Sequence, residues 1–216
     1  MFKDTAKVVI FFLLTNFIIN FPAVAGYENY LNRAVKQHKK HKYDAAIINY
    51  TKAIDIAENH SIQAQTGQYS NEYEEYPLEY SLEYSVEDNL SDLYFNRGLA
   101  ESEAGYSKEA LEDFSKSINL NPYNDSAFFN RAIVKYELRM YKSALHDFDR
   151  TLSLVPGDAK ALFNRAMTKY QLKDIRGALS DAKKSKKYFK QLRKRNEVQE
   201  VNEFIESIKM ERSFFN

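Results

Sequence analysis

The tripeptide Phe-Asn-Arg occurs three times, at Phe95-Asn96-Arg97, Phe129-Asn130-Arg131 and Phe163-Asn164-Arg165, at intervals of 34 residues. Other tracks keep the same interval: Ala110, Ala144 and Ala178; Asp113, Asp147 and Asp181; Pro122 and Pro156. Several tracks sharing one period mean that the chain is built from copies of a single unit. Such a unit is too small to bury its apolar face alone, so the copies must stack into one continuous core. With 6 glycines and 4 prolines in 216 residues, the chain lacks the turn residues of a β sandwich, and the units are helical.

The Phe-Asn-Arg, Ala and Asp tracks resemble those of tetratricopeptide repeats. The resemblance implies an all-α solenoid of antiparallel helix pairs wound into a superhelix. The first helix of each unit carries the aromatic-Asn-Arg stretch and then a small residue, Gly98, Ala132 or Ala166. The second carries the alanine and then an aromatic, Phe114 or Phe148. Small residues let paired helices approach, and large ones fill the gap to the neighbour. Pro122 and Pro156 mark boundaries, and Pro156-Gly157-Asp158 reads as a stop followed by a cap. A weaker copy with Leu31-Asn32-Arg33, Ala34, Ala46, Tyr50 and Ala53 precedes these. Repeats are expected at 27–60, 91–124, 125–158 and 159–192, with an insert at 61–90 and a C-terminal capping helix at 193–216.

Asn32, Asn96, Asn130 and Asn164 hold one place in every copy, although asparagine is a mediocre helix former, at about 0.5 kcal/mol against alanine. The resemblance puts this place on the concave groove, where a carboxamide can donate to and accept from a peptide backbone at once. A row of such groups would hold an extended chain with little dependence on its side chains. The plainer reading is inheritance by duplication, each asparagine bonded locally. Tyr136 and Tyr170, with Glu137 and Gln171, lie further along first helices and would also line the groove. Tetratricopeptide proteins that clamp a terminal carboxylate add lysines and a second asparagine. Here those places hold Phe95, Phe129, Phe163, Leu99, Ile133 and Met167, which argues against that subtype. Register pairs Arg97, Arg131 and Arg165 with Asp113, Asp147 and Asp181, and such pairs contribute about 0.2–1 kcal/mol each if exposed. The first copy has Asn49 where the aspartate would be.

No catalytic constellation is present, so the chain does not read as an enzyme. It has no cysteine, which excludes disulfides, thiol catalysis and thiolate metal sites. His38 and His41 share a helical face, but Lys39 and Lys40 repel a cation there; all four histidines read as surface residues, and no metal or cofactor is expected. No phosphate-cradling glycine loop or nucleophile elbow occurs. With 31 basic and 30 acidic residues, attraction of the whole chain to nucleic acid is not indicated.

Lys3 and Lys7 precede an apolar run from Val8 to Phe21, Pro22 ends it, and Ala23-Val24-Ala25 follows. A basic start, a short apolar core and an Ala-x-Ala site are the parts of a secretory signal peptide over residues 1–25. The run is shorter than the roughly 20 residues that span a bilayer, although an uncleaved anchor is the rival reading. The insert has no lysine or arginine, many carboxylates, and Tyr69, Tyr73, Tyr76, Tyr80 and Tyr84. Gln63 to Asn71 reads as a loop, and Leu78, Leu82, Val86 and Leu90 as a backward extension of the next helix. It either lies on its own repeats or forms a partner-binding loop. The tail from Lys183 lacks glycine and proline and reads as almost unbroken helix. Its basic run through Lys183, Lys184, Lys186, Lys187, Lys190, Arg193, Lys194 and Arg195 is a solvated face, a contact for anionic lipid or nucleic acid, or a partner for the acidic insert.

The expected function is an exported scaffold binding a protein or extended peptide in the concave groove. The alternative is a peripheral membrane protein attached through its basic C-terminal helix or a retained N-terminal segment. The repeat style resembles bacterial versions, which suggests a periplasm or cell surface. Four Asn-x-Ser/Thr matches, beginning at Asn49, Asn59, Asn89 and Asn124, keep a eukaryotic secretory compartment open.

Overall fold

The computed structural model describes residues 24–66 and 86–214. Residues 1–23 of the expected targeting segment and most of the tyrosine-rich insert lie outside them, and Val24 and Ala25 of the Ala-x-Ala site begin the first helix. The described residues form nine helices and no strand: α1 (Val24–His38), α2 (Tyr43–Thr66), α3 (Val86–Ala104), α4 (Ser107–Leu120), α5 (Asp125–Glu137), α6 (Tyr141–Leu154), α7 (Ala159–Gln171), α8 (Ile175–Gln191) and α9 (Arg195–Phe214). None of these helices is long and apolar enough to cross a membrane. Helix α2 continues to Thr66, past the Gln63 at which a loop was expected, and α3 starts at Val86, ahead of its Phe-Asn-Arg stretch.

Consecutive helices pack in pairs, and each second helix packs on the first helix of the next unit. First helices also meet across units, α3 with α5 and α5 with α7, and no pair of second helices packs to that extent. The first helices therefore form the inner layer of the solenoid and the second helices the outer one. Ala34, Ala46, Ala100, Ala110, Ala132, Ala144, Ala166 and Ala178 are all fully buried at the crossings. The aromatic rings lie between them, Phe95 against Phe114 and Phe129 against Phe148, each pair 6.0 Å apart.

The turn inside each of the last three repeats places one residue in the left-handed region: Gly105 (φ 89°), Arg139 (φ 59°) and Lys173 (φ 66°). The N–H of the residue that follows reaches back to a carbonyl in the last turn of the helix: Tyr106 to Glu101, Met140 to Lys135 and Asp174 to Lys169, at 2.8–2.9 Å. Between repeats, Asn124 caps α5 through the Ala127 N–H, and Asp158 caps α7 through those of Lys160 and Ala161. Buried hydroxyls tie the end of a unit to its beginning. Ser185 donates to the Ala159 carbonyl at 2.7 Å, and Ser91 donates to that of Ser117 at 3.0 Å.

The tail is not one unbroken helix. It breaks at Leu192-Arg193-Lys194, with Arg193 at φ 55° and the Lys194 N–H donating to the Phe189 carbonyl at 2.9 Å. This is the turn used inside the repeats, and it folds α9 back onto the last pair. Unit four has Ala182 where the others have Phe114 and Phe148, and its aromatic partner comes from α9: Phe204 lies 5.6 Å from Phe163. Val201 and Ile205 complete the packing against Ala159, Ala166 and Ala182. Helix α9 thus covers the end of the core as a capping helix does.

Candidate functional site

The first helices carry the groove candidates along the inner layer. Asn96, Asn130 and Asn164 each donate from Nδ2 to the backbone carbonyl one turn earlier, those of Asp92, Ser126 and Lys160, at 2.8–2.9 Å. All three are half-buried, and their side chains make no other hydrogen bond with the described residues. Asn32 is exposed on α1. The local bond uses one of the two amide protons and leaves the carboxamide oxygen as an acceptor. Around the row stand half-buried apolar side chains, Phe95, Leu99, Phe129, Ile133 and Met167. The surface is a polar row set in an apolar floor.

The two tyrosines are more engaged than a free groove residue would be. Tyr136 packs its ring 5.4 Å from that of Tyr141 and joins the cluster of Ala132, Ala144 and Phe148. Tyr170 lies 5.8 Å from Phe204, and its hydroxyl donates to Glu211, both on α9. Burial raises the Tyr136 hydroxyl, and for Tyr170 the bond to Glu211 is the largest cause of the rise, so both stay neutral donors at ordinary pH. The cap therefore borders the last turn of the groove.

The three arginine–aspartate pairs expected from register are present, and their carboxylates are buried. Asp113, Asp147 and Asp181 are 3%, 0% and 2% exposed. Each accepts two bonds from its arginine. Arg97 reaches Asp113 at 2.6 and 2.9 Å, Arg131 reaches Asp147 at 2.8 and 2.9 Å, and Arg165 reaches Asp181 at 2.7 and 2.9 Å. The remaining Nη1 of each arginine extends to the previous unit: Thr51 for Arg97, Ser115 for Arg131 and Asp149 for Arg165, at 3.0, 2.9 and 2.8 Å. Each guanidinium thus joins three helices across two units. Lys135 and Lys169, four residues on, add a 2.7 Å bond to Asp147 and Asp181. Burial alone would raise these two carboxyls, but the hydrogen bonds and charges of the arginine and lysine outweigh it and hold both below the usual aspartate value. In the first unit a neutral pair replaces the ionic one, with Asn49 donating to Gln37 at 2.8 Å.

One histidine is misplaced by sequence reasoning. His38 is 4% exposed, not a surface residue, and its Nε2 lies 3.1 Å from Glu103 on α3. It forms an edge contact with Tyr50 at 6.2 Å. His146 is exposed, as is His41, which bonds Tyr43; the side chain of His60 lies outside the described residues. No cluster of three or more metal-ligating side chains occurs among the described residues.

A tetratricopeptide repeat family model matches residues 91–124. Among solved structures, the chain is similar to the MamA fragment (41-end) from Desulfovibrio magneticus RS-1, with a TM-score of 0.58 at 16% identity, covering 87% of this chain and 96% of that one. It is similar to PcrH in complex with the chaperone binding region of PopD, with a TM-score of 0.55 at 19% identity, covering 61% and 98%. It is also similar to the TPR domain of Arabidopsis OM64, with a TM-score of 0.52 at 19% identity, covering 68% and 98%. No curated protein sequence matches. The fold is that of a tetratricopeptide solenoid.

Proposed function

We propose that this chain is an exported interaction scaffold that holds a segment of a partner protein along its first-helix groove, in a bacterial periplasm or at a cell surface. The carrying observation is the row of Asn96, Asn130 and Asn164, each with an acceptor oxygen left beside half-buried Phe95, Phe129 and Met167. A neutral polar row in an apolar floor suits an extended or helical segment with apolar side chains, not a highly charged one. The likeness in fold to PcrH, whose structure holds a segment of PopD, supports this use of the fold. The basic start, apolar run and Ala-x-Ala site support export. No catalytic role is proposed.

The test is the triple variant Asn96, Asn130 and Asn164 to Ala. Each side chain bonds only within its own helix, so helicity should be unchanged or rise slightly. Loss of three groove bonds at about 0.5–1.5 kcal/mol each should weaken a captured partner segment by roughly tenfold or more. Capture from an extracytoplasmic extract, followed by peptide mapping of the retained partner, reads this directly. A partner held equally by both forms removes the asparagine row from the function.

A second reading is favoured by α8. Lys183, Lys184, Lys187 and Lys190 are exposed on it, Arg193 and Lys194 follow in the turn, Arg195 opens α9, and Leu192 is exposed among them. An apolar tip within a basic surface is the pattern of attachment to anionic lipid. Sedimentation with phosphatidylserine vesicles at low salt, reversed at high salt and abolished by glutamine at 183, 187 and 190, is the expected result. Absence of binding at low salt removes this reading.

A further inference from the structure

The arginine-centred clusters differ at one position, four residues after the arginine. Units three and four have Lys135 and Lys169 there, and each ammonium lies 2.7 Å from its aspartate. Unit two has Glu101, a carboxylate where its sisters have a cation. Glu101 is 6% exposed. Its Oε1 lies 3.7 Å from the Arg97 Nε, and its Oε2 is buried without a hydrogen-bond partner. Arg97 is already committed, with Nε and Nη2 on Asp113 and Nη1 on Thr51 of α2. One guanidinium therefore faces two buried carboxyls. Two carboxylates cannot bond to each other, because both only accept; with one proton between them, one donates.

We propose that Glu101 and Asp113 share a proton, which takes the place of the lysine ammonium of the neighbouring units and makes the joint between α2, α3 and α4 dependent on pH. Burial and the adjacent Asp113 push the Glu101 carboxyl up to about 8 from an ordinary 4.5, Arg97 opposes the shift, and Glu109 on α4 adds slightly to it. From α2 the group that reaches the cluster is the neutral Thr51 hydroxyl, through Arg97. A carboxyl held above its unfolded value binds more protons in the folded chain than in the unfolded one. Its contribution to stability is therefore complete below about pH 4.5 and is lost as pH rises through about 8. On losing the proton, Arg97 must serve two carboxylates and its hold on Thr51 weakens. The first repeat then shifts against the second, and with it the spacing of Asn32 from Asn96.

The test uses the full chain with Glu101→Gln and Glu101→Lys beside it. The Glu101 carboxyl carbon, followed by NMR in the natural chain, should titrate near pH 8. The melting temperature of the natural chain should fall between pH 5 and 9 by on the order of 5 °C more than that of E101Q, which donates to Asp113 at every pH. E101K restores the sister arrangement and should melt highest at pH 9. Amide exchange in α2, corrected for intrinsic rates, should accelerate as pH rises from about 5 to about 8 in the natural chain and level off above that, and should not do so in E101K. A Glu101 carbon that titrates in the ordinary carboxylate range, or an E101Q variant with the natural pH slope, overturns the shared proton. Unchanged exchange in α2 overturns the joint. Should E101Q fail to fold, the carbon titration and E101K still decide.

Discussion

Replacing Asp147 by alanine should lower the unfolding free energy by about 3–5 kcal/mol, an effect several times that of an exposed ion pair. Asp147 is 0% exposed and accepts from Arg131 Nε and Nη2 and from Lys135 Nζ. Its removal leaves two cations at a half-buried site with no counter-charge, and the penalty of the unpaired charges dominates. Arg131 also holds Ser115 of the preceding unit, so the damage extends across a repeat boundary. Asp113→Ala should cost less, because Glu101 already lies 3.7 Å from Arg97 and can take the place of the lost carboxylate. Guanidinium unfolding of both variants, followed by helical circular dichroism, gives the comparison. A loss below about 1 kcal/mol at Asp147 would put these bridges back among surface pairs.

Much of the architecture is legible in the sequence because duplication repeats each physical requirement at the same interval. The Phe-Asn-Arg, alanine and aspartate tracks place the helix pairs and the arginine partners, since a bidentate contact needs both residues in register. Burial is harder to read. A charged residue at a helix crossing looks like one on a surface until the neighbouring unit is stacked on it, which is why register pairs Asp113, Asp147 and Asp181 with their arginines but does not tell their burial. His38 is covered in the same way, by α3 of the next unit. Other signals lie outside the Phe-Asn-Arg, alanine and aspartate tracks. Leu192-Arg193-Lys194 repeats the pattern of Leu138-Arg139-Met140 and Leu172-Lys173-Asp174, an apolar residue and then a basic one in the left-handed region. A turn can therefore be recognised where neither glycine nor proline marks it. Glu101 stands out only when the residue four places after each arginine is compared across units. For the groove, the sequence names the asparagines, and the geometry adds that each is bonded within its own helix, with its oxygen available.

Phe148→Ala should cost about 3–5 kcal/mol, because the ring is fully buried and nothing nearby can collapse into its place. It fills the space among Ala132, Ala144, Phe129 and Ile133, and small residues on rigid helices cannot move in to close a ring-sized void. In a linear array each unit is stabilised mainly by its neighbours, so a void in the third repeat weakens its coupling on both sides. The unfolding transition should broaden as well as shift, with the two flanks separating. Unit four tests the reasoning from the other direction. Ala182 stands at the equivalent place, and Phe204 of α9 supplies the ring against Phe163. Ala182→Phe should therefore be destabilising by about 1–3 kcal/mol, since it adds a ring where α9 already packs. A denaturant midpoint that moves down for both changes, with a lower slope for Phe148→Ala only, is the expected pattern. If Ala182→Phe instead stabilises the chain, the last unit retains a vacant aromatic position and α9 does not take over its packing.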